Sequence, residues 1–175
     1  MADETTAAAH VQGGLTDDEK RLNVIRLAFA DDPARYETFV QTVRDNVPAG
    51  TTVVLRGSAV TGQRWRDNAP FDADGVGTSD LDVTLVGDAG VLYFDAVGFF
   101  VPGIHSRPLS DKDPDIAPDL VPLRERLMKM VGRPVNIQAS RDIVTRFRGD
   151  LLGQPYLTLF AKPEGQLLDG PTSPG

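Results

Sequence analysis

Apolar positions along the chain recur with two periods. Tyr36, Phe39, Val40, Val43 and Val47 follow i, i+3, i+4, i+7, i+11 spacing, one face of a helix. Asp32-Pro33 opens that helix, since Pro is tolerated in a first turn, and Pro48-Ala49-Gly50 closes it. An earlier helix over residues 17–30 is predicted by Thr16 followed by Glu19, a capping box, with Leu22, Ile25 and Phe29 as its apolar face. Thr51 to Leu55 is a short β-branched run and reads as a strand that feeds Gly57-Ser58 and a short helix. A polar, turn-rich loop follows from Gln63 to Thr78, then a second strand from Leu81 to Val86, closed by Gly87-Asp88. Val91 to Phe100 is apolar and fits helix or strand, and His105 to Pro118 reads as a Pro-rich loop. Asp119 is expected to cap a helix carrying Leu120, Leu123, Leu127, Met130 and Val131, stopped by Gly132. Pro134 to Ala139 reads as a third strand, Ser140 as the cap of a short helix to about Arg148, and Tyr156 to Ala161 as a last strand. There are no internal repeats. This order predicts an α/β (α+β) domain, a sheet with helices packed on it, over residues 15–162. Residues 1–14, small and polar, and 163–175, rich in Pro and Gly, are expected to be disordered.

Composition narrows the function. A chain of 175 residues fits one domain with a real core. No run approaches the roughly 18 apolar residues of a membrane span. Met1 to Gly14 has neither the basic start nor the apolar stretch of a secretory signal. The absence of cysteine excludes disulfides, thiol catalysis and cysteine-bound zinc, and fits a cytoplasmic protein. A net charge of −7 argues against broad, non-specific nucleic-acid binding but leaves room for a local basic pocket. Lysine occurs only at positions 20, 112, 129 and 162, so arginine dominates the basic residues. That suits phosphate recognition, although a GC-rich genome produces the same bias.

The chemistry concentrates in Val53-Val54-Leu55-Arg56-Gly57-Ser58 and, beyond the loop, Thr78-Ser79-Asp80-Leu81-Asp82-Val83-Thr84-Leu85. A strand that ends in Gly-Ser and turns into a helix presents free backbone N–H groups. Gly admits a phosphate close to the backbone, and the Ser hydroxyl adds a donor. Asp80 and Asp82, two residues apart on a strand, emerge on one face, with Leu81 and Val83 directed to the core. Two carboxylates side by side repel unless a cation sits between them. A hard divalent ion such as Mg²⁺ or Mn²⁺ is the natural occupant.

These residues resemble the DNA polymerase β-type nucleotidyltransferase superfamily, which includes small stand-alone transferases, antibiotic-modifying enzymes, RNA-tailing enzymes and antitoxins. "RGSAVTG" and "GTSDLDVTLV" are similar to its two core motifs, and the element order over residues 34–148 is similar to its αβαβαβα core. The resemblance implies a transferase that moves a nucleoside monophosphate from a nucleoside triphosphate (ATP among the possibilities) to a hydroxyl acceptor on RNA, protein or a small molecule. In that reading Asp80 and Asp82 are catalytic metal ligands and Gly57-Ser58 hold the β/γ-phosphates. Two features depart from the family pattern. The spacer between Gly-Ser and the first Asp, residues 59–79, is longer. The third carboxylate expected on a later strand is Asn136, which can offer a metal its carbonyl oxygen but cannot act as a general base. The alternative is therefore a catalytically degenerate domain that binds a nucleotide or a partner protein, including a toxin–antitoxin component.

Each residue also has a plain structural explanation. Asp80 and Asp82 could be the exposed face of an edge strand, and Ser58 a helix cap. Arg56 could form a structural ion pair or contact a phosphate. Arg64 and Arg66 could be exposed loop charges, or nucleotide or acceptor contacts. His105 is a lone loop histidine, incidental or a substrate contact. Asp111, Asp113, Asp115 and Asp119 form an acidic loop that lacks the Gly and Glu of a calcium loop; it is either solvated or the source of a substitute third carboxylate.

Overall fold

The computed structural model describes residues 11–12 and 14–164. A short antiparallel pair, β1 (Val11–Gln12) with β2 (Leu15–Thr16), leads into α1 (Asp17–Ala28). The pair lies across the boundary of the stretch expected to be disordered; residues 1–10, 13 and 165–175 lie outside the described residues. Then come α2 (Pro33–Asn46), β3 (Thr52–Arg56), α3 (Ser58–Thr61), β4 (Leu81–Val86) and α4 (Asp88–Val91). The chain continues through β5 (Phe99–Val101), β6 (His105–Ser106), α5 (Val121–Val131), β7 (Val135–Ser140), α6 (Asp142–Arg146) and β8 (Tyr156–Ala161). Among the described residues no helix is long and apolar enough to cross a membrane.

Local chemistry starts α1 and α2 where expected. Thr16 Oγ1 accepts from the Glu19 N–H at 3.2 Å and Glu19 Oε2 from the Thr16 N–H at 2.7 Å, so two free donors of α1 are satisfied reciprocally. Asp32 caps α2 through the N–H groups of Ala34 and Arg35. The stripe Tyr36, Phe39, Val40, Val43, Val47 is buried in full. The expected face of α1 is corrected at one position: Phe29 is buried in the core and Ile25 packs against it, but Leu22 is 65 % exposed, and Lys20, Val24 and Ala28, spaced i, i+4, i+8, point inward as well. The Lys20 ammonium makes that possible by pairing with Asp17 at 3.0 Å.

Two expected caps are absent. Asp119 lies inside a 3₁₀ turn, Pro118–Leu120, that precedes α5, and Leu120 occupies the cap position without a side-chain bond. Ser140 is the last residue of β7, and its hydroxyl meets His105 Nδ1 at 3.1 Å. The ambiguous segment from Val91 to Phe100 holds both kinds of structure: the end of α4, a 3₁₀ turn at Ala96–Gly98 and the start of β5.

Six strands form one mixed sheet in the order β5-β6-β7-β4-β3-β8. The β4–β7 pair is parallel and the other neighbours are antiparallel. Side-chain alternation divides the sheet into two unlike faces. Leu55, Leu81, Val83, Leu85, Val135 and Ile137 belong to one hydrophobic cluster with Val24, Phe39, Val43 and Leu127 of the helices. Arg56, Asp82, Thr84, Asn136 and Gln138 point the other way. The register carries the consequence: Arg56 lies opposite Asp82, and Asp82 opposite Asn136, in three adjacent strands.

Candidate active site

A cavity of about 560 Å³ opens over the polar end of β3, β4 and β7, and its walls include Gly57, Ser58, Asp80, Asp82 and Asn136. The sheet register explains the meeting of these residues, although Asn136 lies far along the chain from Gly57. Asp82 is half-buried on β4, and Asp80, just before the strand, is exposed. Both carboxylates converge on one atom. Asn136 Nδ2 donates to Asp80 Oδ2 at 2.9 Å and to Asp82 Oδ1 at 3.1 Å. An amide with two N–H bonds thus holds together two groups that repel. Burial raises the pKa of Asp82, and the Asp80 charge pushes the same way; the Asn136 hydrogen bond, Arg148 and Arg56 work against them.

Gly57 is required twice over. Its φ of +87° suits glycine, and a Cβ built there would sit 2.9 Å from Asp82 Oδ2. The Gly57 backbone and the Asp82 carboxylate therefore form one surface that a side chain would fill. Ser58 is the first residue of α3 with Gly57 as the cap residue, and no side-chain capping bond forms there. The structure thus replaces the capping role considered for Ser58 with a hydroxyl at the cavity wall.

The donor set suits a hard cation. Two carboxylate oxygens meet at hydrogen-bond distance from a single point, and rotation of the Asn136 amide would turn its carbonyl oxygen there in place of the NH₂ group. Among the described residues no cluster of three or more His, Asp, Glu or Cys side chains could hold a metal alone. A cation here would complete its shell with ligand oxygens or water. The acidic loop supplies no third carboxylate: Asp111 pairs with Arg124 at 2.8 Å and Asp113 with Arg107 at 3.2 Å, and neither these nor Asp115 and Asp119 line the cavity.

The basic residues separate into two groups. Arg64 and Arg66 line the cavity rim, where Arg64 is held by Asp67 and Asp74 and Arg66 is exposed beside Asp67. Arg56 is buried on the polar face, its guanidinium 5.3 Å from the Tyr156 ring centre, with no carboxylate within 4 Å among the described residues. The structural ion pair considered for Arg56 is therefore not formed. His105 lies on the same face, against Ser140 and Gln138. Burial lowers its pKa, and Arg148 and Arg56 lower it further.

Sequence reasoning missed three contributors. Arg148 comes from the π-helical turn Phe147–Leu151 after α6 and reaches the cavity. Trp65, the single tryptophan, is 65 % exposed at the cavity wall. Asp72 anchors the long loop: it accepts from Arg133 Nη1 at 2.9 Å and from the N–H groups of Gly77 and Ser79. Arg133 in turn stacks over Phe71 at 4.5 Å. The loop is therefore built rather than loose. A lone exposed-looking Trp in a polar loop was the one signal in the sequence that could have drawn attention to this wall.

Comparison with protein-family models, curated proteins and solved structures found no match for the chain.

Proposed function

We propose that this protein is a divalent-metal-dependent nucleotidyltransferase that moves a nucleoside monophosphate from a nucleoside triphosphate to a hydroxyl acceptor. The observation that carries the reading is the convergence of the Asp80 and Asp82 oxygens beside the Gly57 backbone, in a cavity large enough for a nucleotide. The motif resemblance of residues 56–62 and 77–86, which rests on these same residues, agrees with it.

Asp80 and Asp82 would hold Mg²⁺ or Mn²⁺, with the Asn136 carbonyl oxygen as a neutral third ligand. When bound, such an ion supplies charge neutralisation and polarisation of the α-phosphate. Gly57 leaves its backbone open to phosphate oxygens, and the Ser58 hydroxyl donates to one of them. Trp65 offers an aromatic face for the base at the rim. In the transfer, the acceptor oxygen forms a bond to the α-phosphorus and the bond to the pyrophosphate oxygen breaks. The acceptor proton leaves to water, because Asn136 has no lone pair basic enough to take it. A slow enzyme is the expected consequence.

Because Trp65 is the sole tryptophan, its fluorescence reports nucleotide arrival. Titration of each nucleoside triphosphate with Mn²⁺ should quench it in the wild type and weaken by about tenfold or more in Asp82→Asn. Equal affinities in the two proteins would sink the assignment. Incubation with labelled triphosphate, Mn²⁺ and cell extract then identifies the acceptor. The Asn136 bridge between the carboxylates favours a second reading, a domain that binds nucleotide without turnover; quenching with no labelled product selects it.

A further inference from the structure

Two guanidinium groups, Arg56 and Arg148, share the cavity wall, and neither forms a salt bridge with a carboxylate among the described residues. Arg56 is only 7 % exposed, and its Nε and Nη1 have no hydrogen-bond partner among the described residues. Besides the Tyr156 ring, it meets the Thr145 carbonyl oxygen through a long bond from Nη2, at 3.4 Å. The hydroxyl of that same Thr145 is a further buried polar group without a partner. Arg148, half-buried, donates through Nε to Gln154 Oε1 at 2.9 Å and likewise has no carboxylate within 4 Å among the described residues. Arg56, Arg148 and Gln154 all line the cavity.

Unpaired buried donors are costly, and each one in a folded protein calls for a cause. The usual remedy was at hand: this chain has 25 acidic residues against 18 basic ones, and Arg64, Arg107, Arg124 and Arg133 are each paired with an aspartate. Arg56 and Arg148 have no such partner among the described residues, although the Asp82 charge acts on both from beyond salt-bridge distance. Burial lowers the pKa of both; the Arg148 charge lowers Arg56 further, to about 10, while Tyr156 and Asp82 oppose the shift of Arg56 and Asp82 that of Arg148. Both remain cationic at neutral pH and repel. An oxyanion between them would satisfy the free N–H groups and remove the repulsion, and arginine forks suit carboxylate and phosphate alike.

We propose that Arg56, Arg148 and Gln154 form an oxyanion subsite, distinct from the carboxylate centre, that receives a phosphate or carboxylate group of the acceptor. The acceptor role rests on the transferase reading; the anion subsite does not. Arg56 pairs in register with Tyr156 of β8 and lies beneath the α6 segment, on the opposite side of Asp82 from Asn136. A ligand anchored there presents its hydroxyl toward Asp80 and Asp82 while the triphosphate occupies the Gly57-Ser58 wall. The acceptor is accordingly an anionic molecule, not a cationic one.

The test is inorganic phosphate titrated into the full chain in EDTA at constant ionic strength, followed by amide chemical shifts and by thermal denaturation. Phosphate should bind without metal. Arg148→Gln, a half-exposed position, should lose about tenfold or more in affinity, and Asp82→Asn should bind phosphate more tightly because a nearby negative charge is gone. Arg56→Met should behave like Arg148→Gln where it folds; where it does not, Arg148→Gln decides. ATP–Mn²⁺ should then still quench Trp65 in phosphate-saturated protein. No phosphate binding, or equal binding in Arg148→Gln, overturns the subsite. Direct competition between phosphate and ATP–Mn²⁺ overturns the acceptor assignment, because the guanidiniums would then hold the triphosphate. Phosphate binding that depends on Arg148, with no response to any triphosphate, upholds the subsite and rejects the transferase reading alone.

Discussion

Asn136→Asp perturbs the centre of the site with the least change in shape. The wild-type amide donates two hydrogen bonds, at 2.9 and 3.1 Å, to two carboxylates. The substitution replaces that donor with a third acceptor. If the new group ionised, it would face two negative charges at about 3 Å, roughly 5 kcal/mol of repulsion each at an effective dielectric near 20. Protonation is cheaper: holding a carboxyl with an ordinary pKa near 4 neutral at about pH 7 costs roughly 4 kcal/mol. The protonated form wins and also restores one of the two hydrogen bonds. The expected loss of metal-free stability at neutral pH is therefore about 2–4 kcal/mol, the lower end applying if solvent around exposed Asp80 screens the charge. The sign with pH follows. The new carboxyl has a folded pKa above its unfolded value, so the deficit is absent below about pH 4 and grows as pH rises toward the folded pKa. Mn²⁺ should reverse it, because a cation gains a charged ligand. Turnover should rise by about tenfold or more, equivalent to 1.4 kcal/mol of barrier. The assay is urea denaturation of both proteins in EDTA at neutral and mildly acidic pH, repeated with Mn²⁺. A variant as stable as wild type in EDTA at neutral pH would refute the account of the amide as the clamp between the carboxylates. Robust wild-type activity that the substitution lowers would show that the amide has a positive role of its own.

Two further substitutions probe the walls of the same cavity. Gly57→Ala combines a positive φ with a Cβ 2.9 Å from Asp82 Oδ2, so it should cost about 1–2 kcal/mol of stability and reduce ATP–Mn²⁺ quenching of Trp65 by about tenfold or more; unchanged nucleotide affinity in a folded variant would place the phosphates elsewhere. Asp72→Asn leaves Arg133 without its carboxylate and should cost about 2–3 kcal/mol at neutral pH. Arg133 holds the Asp72 carboxyl far below the usual range, helped by the Ser79 and Gly77 N–H groups; its contribution is complete above the unfolded pKa near 4 and fades as pH falls further. Denaturation curves of the two proteins should therefore differ at neutral pH and draw together only in strong acid.

The local pattern of the chain determined a good deal. Helical spacing from Tyr36 to Val47 identified a buried face, because i, i+3, i+4 positions share one side of a helix whatever it packs against. Strand alternation put Leu81 and Val83 in the core and Asp82 on the other face for the same reason, and it placed Asn136 with Asp82 once the two strands were taken as neighbours. The inward face of α1 was legible only in part: Ile25 and Phe29 meet the core, Leu22 does not. Leu22 looks apolar enough to be buried, but which side of α1 meets the sheet is decided by the packing of its neighbours, and there Lys20 is covered and Leu22 is not. Caps at Asp119 and Ser140 failed similarly: a good capping residue satisfies a helix only if the backbone turns at that point, and a 3₁₀ turn and a strand end intervened. The partners of the long loop, Asp72 with Arg133, and the meeting of Arg56 and Arg148 at one cavity wall involve residues separated by many tens of positions. No periodicity encodes such contacts. They exist because the sheet order β7-β4-β3-β8 brings distant segments side by side, and because a charged group carried into the interior depends on whatever polar partners the fold sets around it.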